Sequence, residues 1–423
     1  MKFLLVGSGG REHALAWALA ESPPVDEVIA APGNAGIEEV ARCVPVDATD
    51  VPGLVELAER ESVDLTVVGP EAPLVAGLVD ALAERGLRAF GPTAAGARIE
   101  GSKAWAKDLR ARYGIPAPRS ETVSEVTAAA ANLEGFEPPY VVKADGLAAG
   151  KGVVIAPSRE EAVRAVEACL VDRAFGSAGD TVVLEEHLEG REVSVLALTD
   201  GHTVVPLDPA QDFKRALDGD RGPNTGGMGA YSPVPFVDRA TADRIRFEIL
   251  GPTISALRSE GIEYQGVLYA GLMLTADGPK VLEFNARFGD PETQAVIPRI
   301  EGDLAELLLA CAEGDLAGRS PRWTEEACVT VVLASGGYPG EYRTGLPVEG
   351  LEEAGKSDKV RVFHAGTARR DGRVTTAGGR VLAVSALGKD LADARRRAYE
   401  ACGLISFEGK HLRTDIAEEV ARG

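Results

Sequence analysis

Four times in the first 90 residues a short apolar run stops at a glycine or proline loop. The runs are residues 3–6, 27–31, 64–68 and 87–90. They end in Gly7-Ser8-Gly9-Gly10, Pro32-Gly33-Asn34, Gly69-Pro70-Glu71 and Gly91-Pro92-Thr93. Helical patterns at 12–20, 54–60 and 75–85 lie between them. Unbroken apolar runs fit strands buried on both faces, and helical crossovers between them make such strands parallel. The spacing therefore predicts a small parallel sheet covered by helices. In open sheets of this kind, ligands sit at the loops that follow the strands.

After Gly101 the character changes. A helix over 103–112 stops at Tyr113-Gly114-Ile115-Pro116. A strand at 140–143, a glycine loop, a strand at 152–155, a helix to about residue 170 and a strand at 181–185 follow. This compact α+β unit reads as an insertion, spanning about 119–190, in a domain that resumes at 193–197. Strands at 328–333 and 380–385 and a helix at 391–401 form a last unit. The expected class is a multidomain chain, first α/β and then α+β. The expected boundaries are 1–101, 102–320 and 321–423.

Charge narrows the function. The 423 residues carry a formal charge of −20, the opposite of the basic stripe a nucleic acid or an anionic membrane requires. No stretch approaches the 18 or more apolar residues of a membrane span, and the four-residue apolar start is short for a signal peptide. Cys43, Cys169, Cys311, Cys328 and Cys402 form no CxxC pair, as expected of reduced thiols in the cytoplasm. A cytoplasmic monomer working on small molecules is the expectation.

Three stretches carry chemistry. In Gly7-Ser8-Gly9-Gly10-Arg11-Glu12-His13, amides at a helix start can face an anion, with Arg11 beside them. A tight turn needed for packing is the other reading. The dinucleotide fingerprint fails, because Glu12 occupies its third glycine position. In Lys143 to Gly152, a strand-end lysine precedes a loop with Gly146, Gly150 and a second lysine, Lys151. Such a loop can close over a polyphosphate and exclude water. It is not a P-loop, since Gly152 follows Lys151 where Ser or Thr is required. About 40 residues on, Glu185-Glu186-His187-Leu188 follows a strand, and edge backbone groups of this segment could hold an adenine, with Glu192 placed for ribose hydroxyls; an ordinary charged strand end is the other reading. Finally, alternation puts Glu283, Asn285 and Arg287 of Glu283-Phe284-Asn285-Ala286-Arg287 on one face. Two oxygen donors facing a lysine-bound triphosphate suit Mg²⁺, and the guanidinium suits a transferring phosphoryl group.

Arg287-Phe288-Gly289-Asp290-Pro291-Glu292-Thr293-Gln294 resembles the signature of the phosphoribosylamine–glycine ligase family of the ATP-grasp superfamily. Gly101-Ser102-Lys103, Asn224 to Tyr231 and Gly336-Gly337-Tyr338-Pro339-Gly340 are similar to further family motifs, and the likeness spans essentially the whole chain. The resemblance implies a pre-ATP-grasp α/β domain, an ATP-grasp core with an inserted lid, and a small C-terminal domain. It implies an ADP-forming ligation of glycine to 5-phosphoribosylamine through glycyl phosphate. Lys103, Lys143, Gly146, Gly150, Lys151, Glu185, Glu186, Leu188 and Glu192 would hold ATP. Glu283 and Asn285 would hold Mg²⁺, or Mn²⁺ in its place. Arg287, Asp290 and Lys214 would be catalytic. Gly9, Gly10, Arg11, Glu71, Asp212, Thr225, Gly226 and Pro291 would line the substrate side.

Two departures stand out. Phe213 occupies the centre of Gln211-Asp212-Phe213-Lys214-Arg215, where the family pattern has histidine, so position 213 is assigned no chemistry. The strand at 267–273 offers no further carboxylate for a metal. The alternatives are another ATP-grasp carboxylate–amine ligase, a dehydrogenase built on the first 100 residues, and a non-catalytic nucleotide sensor. A dehydrogenase leaves the 143–152 loop idle, and a sensor has no need of Glu283, Asn285 and Arg287.

Overall fold

A computed structural model of the chain describes residues 1–146 and 152–422. Strands Arg42–Cys43, Glu27–Pro32, Lys2–Gly7, Leu65–Val68 and Ala89–Phe90 lie side by side in that order, all parallel. Leu4, Val6 and Ile29 pack on one side with Leu54 and Leu57, while Phe3, Leu5 and Val28 pack on the other with Leu15 and Leu19. Burial on both faces is why these runs show no polar alternation. Two local expectations need correction. The helix expected over 75–85 is two helices, Glu71–Val75 and Leu78–Glu84, because Gly77 sits between them at φ +86 and breaks the backbone. Arg42–Cys43 adds a strand too short to leave a periodic signal.

The inserted unit is an antiparallel sheet ordered Ser120–Val123, Val182–Glu185, Tyr140–Ala144, Val153–Ala156. It has its own core, with Val142, Leu184, Val166 and Phe136 at its centre. A second antiparallel sheet runs Val204–Pro206, Arg191–Thr199, Gly266–Thr275, Gly278–Asn285. The helix Lys103–Tyr113 is capped by the Ser102 hydroxyl, which accepts from the Trp105 N–H at 3.2 Å, and ends at left-handed Gly114.

The last unit shares a sheet with the middle of the chain. Gly229–Ser232 pairs with Ala327–Ala334, which pairs with Arg380–Gly388 and through it with Val360–His364. His13 joins the N-terminal helix to this layer by accepting the His364 N–H at 2.7 Å. Burial, then mutual proximity, pushes the His13 pKa down to about 3, and burial takes His364 to about 4, so both are neutral packing groups.

Candidate active site

Strand register builds the site. Ser194 lies opposite Gly271, Glu192 opposite Met273, Gly271 opposite Glu283, and Tyr269 opposite Asn285. Cross-strand partners share a face, so Glu192, Ser194, Tyr269, Glu283 and Asn285 project from one side of the sheet. A bulge helps. Val281 faces Leu272 and Glu283 faces Gly271, leaving Leu282 unpaired between them and resetting the alternation. Gly271 leaves room for the Glu283 side chain, which a Cβ would approach to 3.2 Å.

Above Glu192 sits Lys214, its Nζ 2.7 Å from Glu192 Oε2 and 3.3 Å from Asp212 Oδ1. Burial works against the Lys214 charge, but the Asp212 and Glu192 carboxylates outweigh it and raise its pKa well above the lysine range. Ser194 and Tyr269 share a hydrogen bond of 2.8 Å, and the Tyr269 hydroxyl donates to Glu292 Oε1 at 2.8 Å.

The inserted unit brings Lys143 to this strand from the other direction. The Lys143 Nζ is paired with Glu185 Oε2 and lies 3.4 Å from the Leu282 carbonyl at the bulge. Lys103 donates to the carbonyls of Asp145 at 3.3 Å and Gly146 at 3.0 Å, at the start of the glycine loop. Gly146 is pressed against Ala178, where a Cβ would not fit. Gly150 and Lys151 lie outside the described residues. The expected edge backbone at Glu185 needs correction. Val182–Glu185 is an inner strand, flanked on both sides, and its final carboxylate is buried between Lys143 and Lys107. Glu186 donates its N–H to the Arg119 carbonyl at 3.0 Å. Leu188, three residues beyond that strand, is buried.

Arg287 points toward the N-terminal domain. Its Nε is 3.2 Å from Glu71, its Nη2 2.9 Å from Glu100, and its Nη1 donates to the Phe288 carbonyl at 3.1 Å. Glu100 also accepts the Ala286 N–H at 2.7 Å. Asp290 is clamped by Arg380 Nη2 at 3.1 Å and Gln294 Nε2 at 2.7 Å. Burial opposes its charge, but Arg380 and Arg11 hold its carboxyl below the usual range. Arg380 also donates to the carbonyls of Gly226 at 2.6 Å and Asp290 at 2.8 Å, and Gly227 abuts the Pro291 ring, so the 224–231 segment and the signature turn meet. The Thr225 hydroxyl donates to the Lys214 carbonyl at 2.8 Å.

The N-terminal glycine loop also needs correction. One of its amides is not bare: Gly9 N–H is accepted by Glu12 Oε2 at 2.6 Å. Arg11 is not a loose cation, since Nε pairs with Glu12 at 2.5 Å and Nη1 donates to Phe288 carbonyl at 3.0 Å. A Cβ at Gly7, Gly9 or Gly69 would collide with the Glu12 side chain. These glycines make room for a buried carboxylate. The loop still touches the signature turn, with Gly10 against Gln294 and Gly9 facing Asp290.

Glu12, Glu100, Lys107 and Arg380 escaped the sequence reading. Lys107 had a signal, four residues after Lys103 on one helix face. Arg380 and Glu100 had none, because their partners are distant in sequence. Phe213 packs beside Tyr231, ring centroids 6.3 Å apart, under the Arg413 guanidinium at 5.0 Å.

Neither Glu283 nor Asn285 has a side-chain hydrogen bond or ion pair among the described residues. Two unsatisfied hard oxygen donors fit Mg²⁺, which takes few protein ligands and keeps phosphate and water oxygens. Among the described residues no group of three or more His, Cys, Asp or Glu could cage a metal. No helix there is long and apolar enough to cross a membrane.

Three family descriptions match in order: phosphoribosylglycinamide synthetase, N domain, at residues 1–100; its ATP-grasp (A) domain at 101–293; and its C domain at 328–419. A phosphoribosylamine–glycine ligase of Streptomyces coelicolor is 52% identical, with all of both chains covered. The crystal structure of a phosphoribosylamine–glycine ligase from Thermotoga maritima superposes with a TM-score of 0.86 at 36% identity, covering 99% of this chain and 100% of that one. The biotin carboxylase domain of Hydrogenobacter thermophilus 2-oxoglutarate carboxylase, at 16% identity and a TM-score of 0.76, covers 99% of this chain and 97% of that one, and shares the fold alone. The three matched domains, which together take in residues 1–293 and 328–419, place the chain in the phosphoribosylglycinamide synthetase family.

Proposed function

We propose that this protein joins glycine to 5-phosphoribosylamine at the cost of ATP, giving N¹-(5-phosphoribosyl)glycinamide, ADP and phosphate in purine biosynthesis. The observation that carries the reading is the open pair, Glu283 and Asn285, on the strand whose bulge carbonyl lies beside Lys143. ATP lies between the inserted unit and the second sheet. Lys103, Lys143, Gly146, Gly150 and Lys151 take its phosphates, Glu185, Glu186 and Leu188 border the adenine, and Glu192 meets the ribose. Glu283 and Asn285 hold Mg²⁺, or Mn²⁺; the ion neutralises phosphate charge. The H. thermophilus domain is itself described with bound MgADP.

A glycine carboxylate oxygen attacks the γ-phosphorus, and the bond to the ADP oxygen breaks. The amine of phosphoribosylamine attacks the acyl carbon, loses a proton, and expels phosphate. Arg287, aimed by Glu71 and Glu100, stabilises the phosphoryl group. Asp290 orients glycine or the amine, and Lys214 balances Asp212 and Glu192. Gly9, Gly10, Arg11, Thr225, Gly226 and Pro291 border the phosphoribosylamine. The units 1–101, 102–320 and 321–423 act around this site, with 119–190 as a lid that excludes water from the acyl phosphate. The protein works in the cytoplasm as a monomer.

Glycine labelled with ¹⁸O in both carboxylate oxygens tests the route. One label must leave in phosphate and one remain in the amide, with ADP release requiring both glycine and phosphoribosylamine. Phosphate free of ¹⁸O overturns it.

A further inference from the structure

Lys107 lies on the inward face of the Lys103–Tyr113 helix and is 6% exposed. The proposed substrate chemistry leaves it idle, yet a lysine this deeply buried needs a partner. Its partner is Glu185, itself 2% exposed at the end of Val182–Glu185. Lys107 contacts Glu185 Oε1 while Lys143 contacts Oε2. One buried carboxylate therefore lies between two lysine side chains, one on the core helix and one on the inserted sheet. Arg110, the next inward residue on the helix, is committed elsewhere, donating to the Val281 carbonyl at 2.9 Å.

We propose that Lys107 is a positioning residue that holds Glu185 so that Lys143 can leave it for the nucleotide phosphates. The inference rests on the nucleotide site proposed above. Lys143 cannot serve Glu185 and a polyphosphate with equal strength. If Glu185 had no second cation, moving Lys143 to ATP would strand a buried carboxylate, which is strongly unfavourable. With Lys107 in place, Glu185 keeps a counter-ion throughout, and the energetic penalty of releasing Lys143 falls. Lys107 thus acts on nucleotide affinity through Lys143 without touching the nucleotide.

Titration calorimetry of the full chain with Mg²⁺–ADP, beside steady-state kinetics, tests this. Lys107→Met should weaken Mg²⁺–ADP binding by about tenfold or more, on the scale of leaving one buried charge with a single committed partner. KM for ATP should rise with it, while KM for glycine stays unchanged. Lys107→Arg keeps a cation beside Glu185 and should hold the affinity near the wild-type value. Lys107→Gln, which removes the charge but keeps a polar end, should weaken Mg²⁺–ADP binding as Lys107→Met does; this variant decides the matter if Lys107→Met does not fold. A purely structural Lys107 would lower the melting temperature without moving the Kd. Unchanged Kd in folded Lys107→Met or Lys107→Gln, or a Lys107→Arg as weak as Lys107→Met, overturns the proposal. Wild type that binds no Mg²⁺–ADP instead refutes the nucleotide site itself.

Discussion

Two clusters of charge flank the strand Gly278–Asn285, and they are built on opposite plans. Past its end, Arg287 is closed: Glu71, Glu100 and the Phe288 carbonyl engage all three guanidinium nitrogens. On the strand itself, Glu283 and Asn285 are open, with no side-chain hydrogen bond or ion pair among the described residues. A saturated buried pair fixes geometry and is costly to break, whereas unsatisfied oxygen donors on a half-exposed face can be kept only where something else completes them. Glu100, on the helix Ala94–Gly101, and Glu283, on the strand, should therefore fail in different ways when neutralised.

The largest expected effect comes from opening the closed cluster. Glu100→Gln keeps an oxygen for the Ala286 N–H but removes a charge from buried Arg287, and should lower stability by about 3 kcal/mol. Denaturant unfolding checks it, and a midpoint equal to wild type would show that Glu71 alone satisfies Arg287. Glu283→Gln acts on the open cluster. Turnover should fall by about 10²-fold while the unfolding midpoint moves less than in Glu100→Gln, since Glu283 makes no hydrogen bond or ion pair to break and only its field at Lys103, Arg110 and Lys143 is lost. Loss of stability with normal turnover at limiting Mg²⁺ would reverse the assignment of the two clusters. The smallest effect is expected at Phe213, which belongs to neither. Phe213→Leu removes the ring under Arg413 and should lose about 0.5–1 kcal/mol of stability with kcat/KM unchanged. A large fall in kcat/KM would mean that position 213 shapes the substrate loop after all.

Much of this was legible in the chain. The apolar runs of the first 90 residues marked the parallel sheet, because strands buried on both faces leave no polar alternation to misread. Glu283 and Asn285 were found on one face by period alone, and the bulge at Leu282 did not spoil that, since it precedes both. The glycine loop at residue 7 was readable as a tight turn or an anion cradle. Only the packed structure gives Glu12 the space those glycines vacate.

What the sequence determined by itself was local: where strands and helices run, which loops are glycine-rich, and which side chains share a face. Those follow from backbone sterics and the periods of two and 3.6, which act over a few residues. Tertiary structure decided the partners. Glu71 and Glu100 reach Arg287, Lys107 reaches Glu185, and Arg380 from the last unit reaches Asp290, in each case across many tens of residues. It also decided that Gly229–Ser232 and Ala327–Ala334 share a sheet. A charge announces in sequence that it will need a counter-charge, but which one it meets depends on strand order and chain closure, and no local period encodes either.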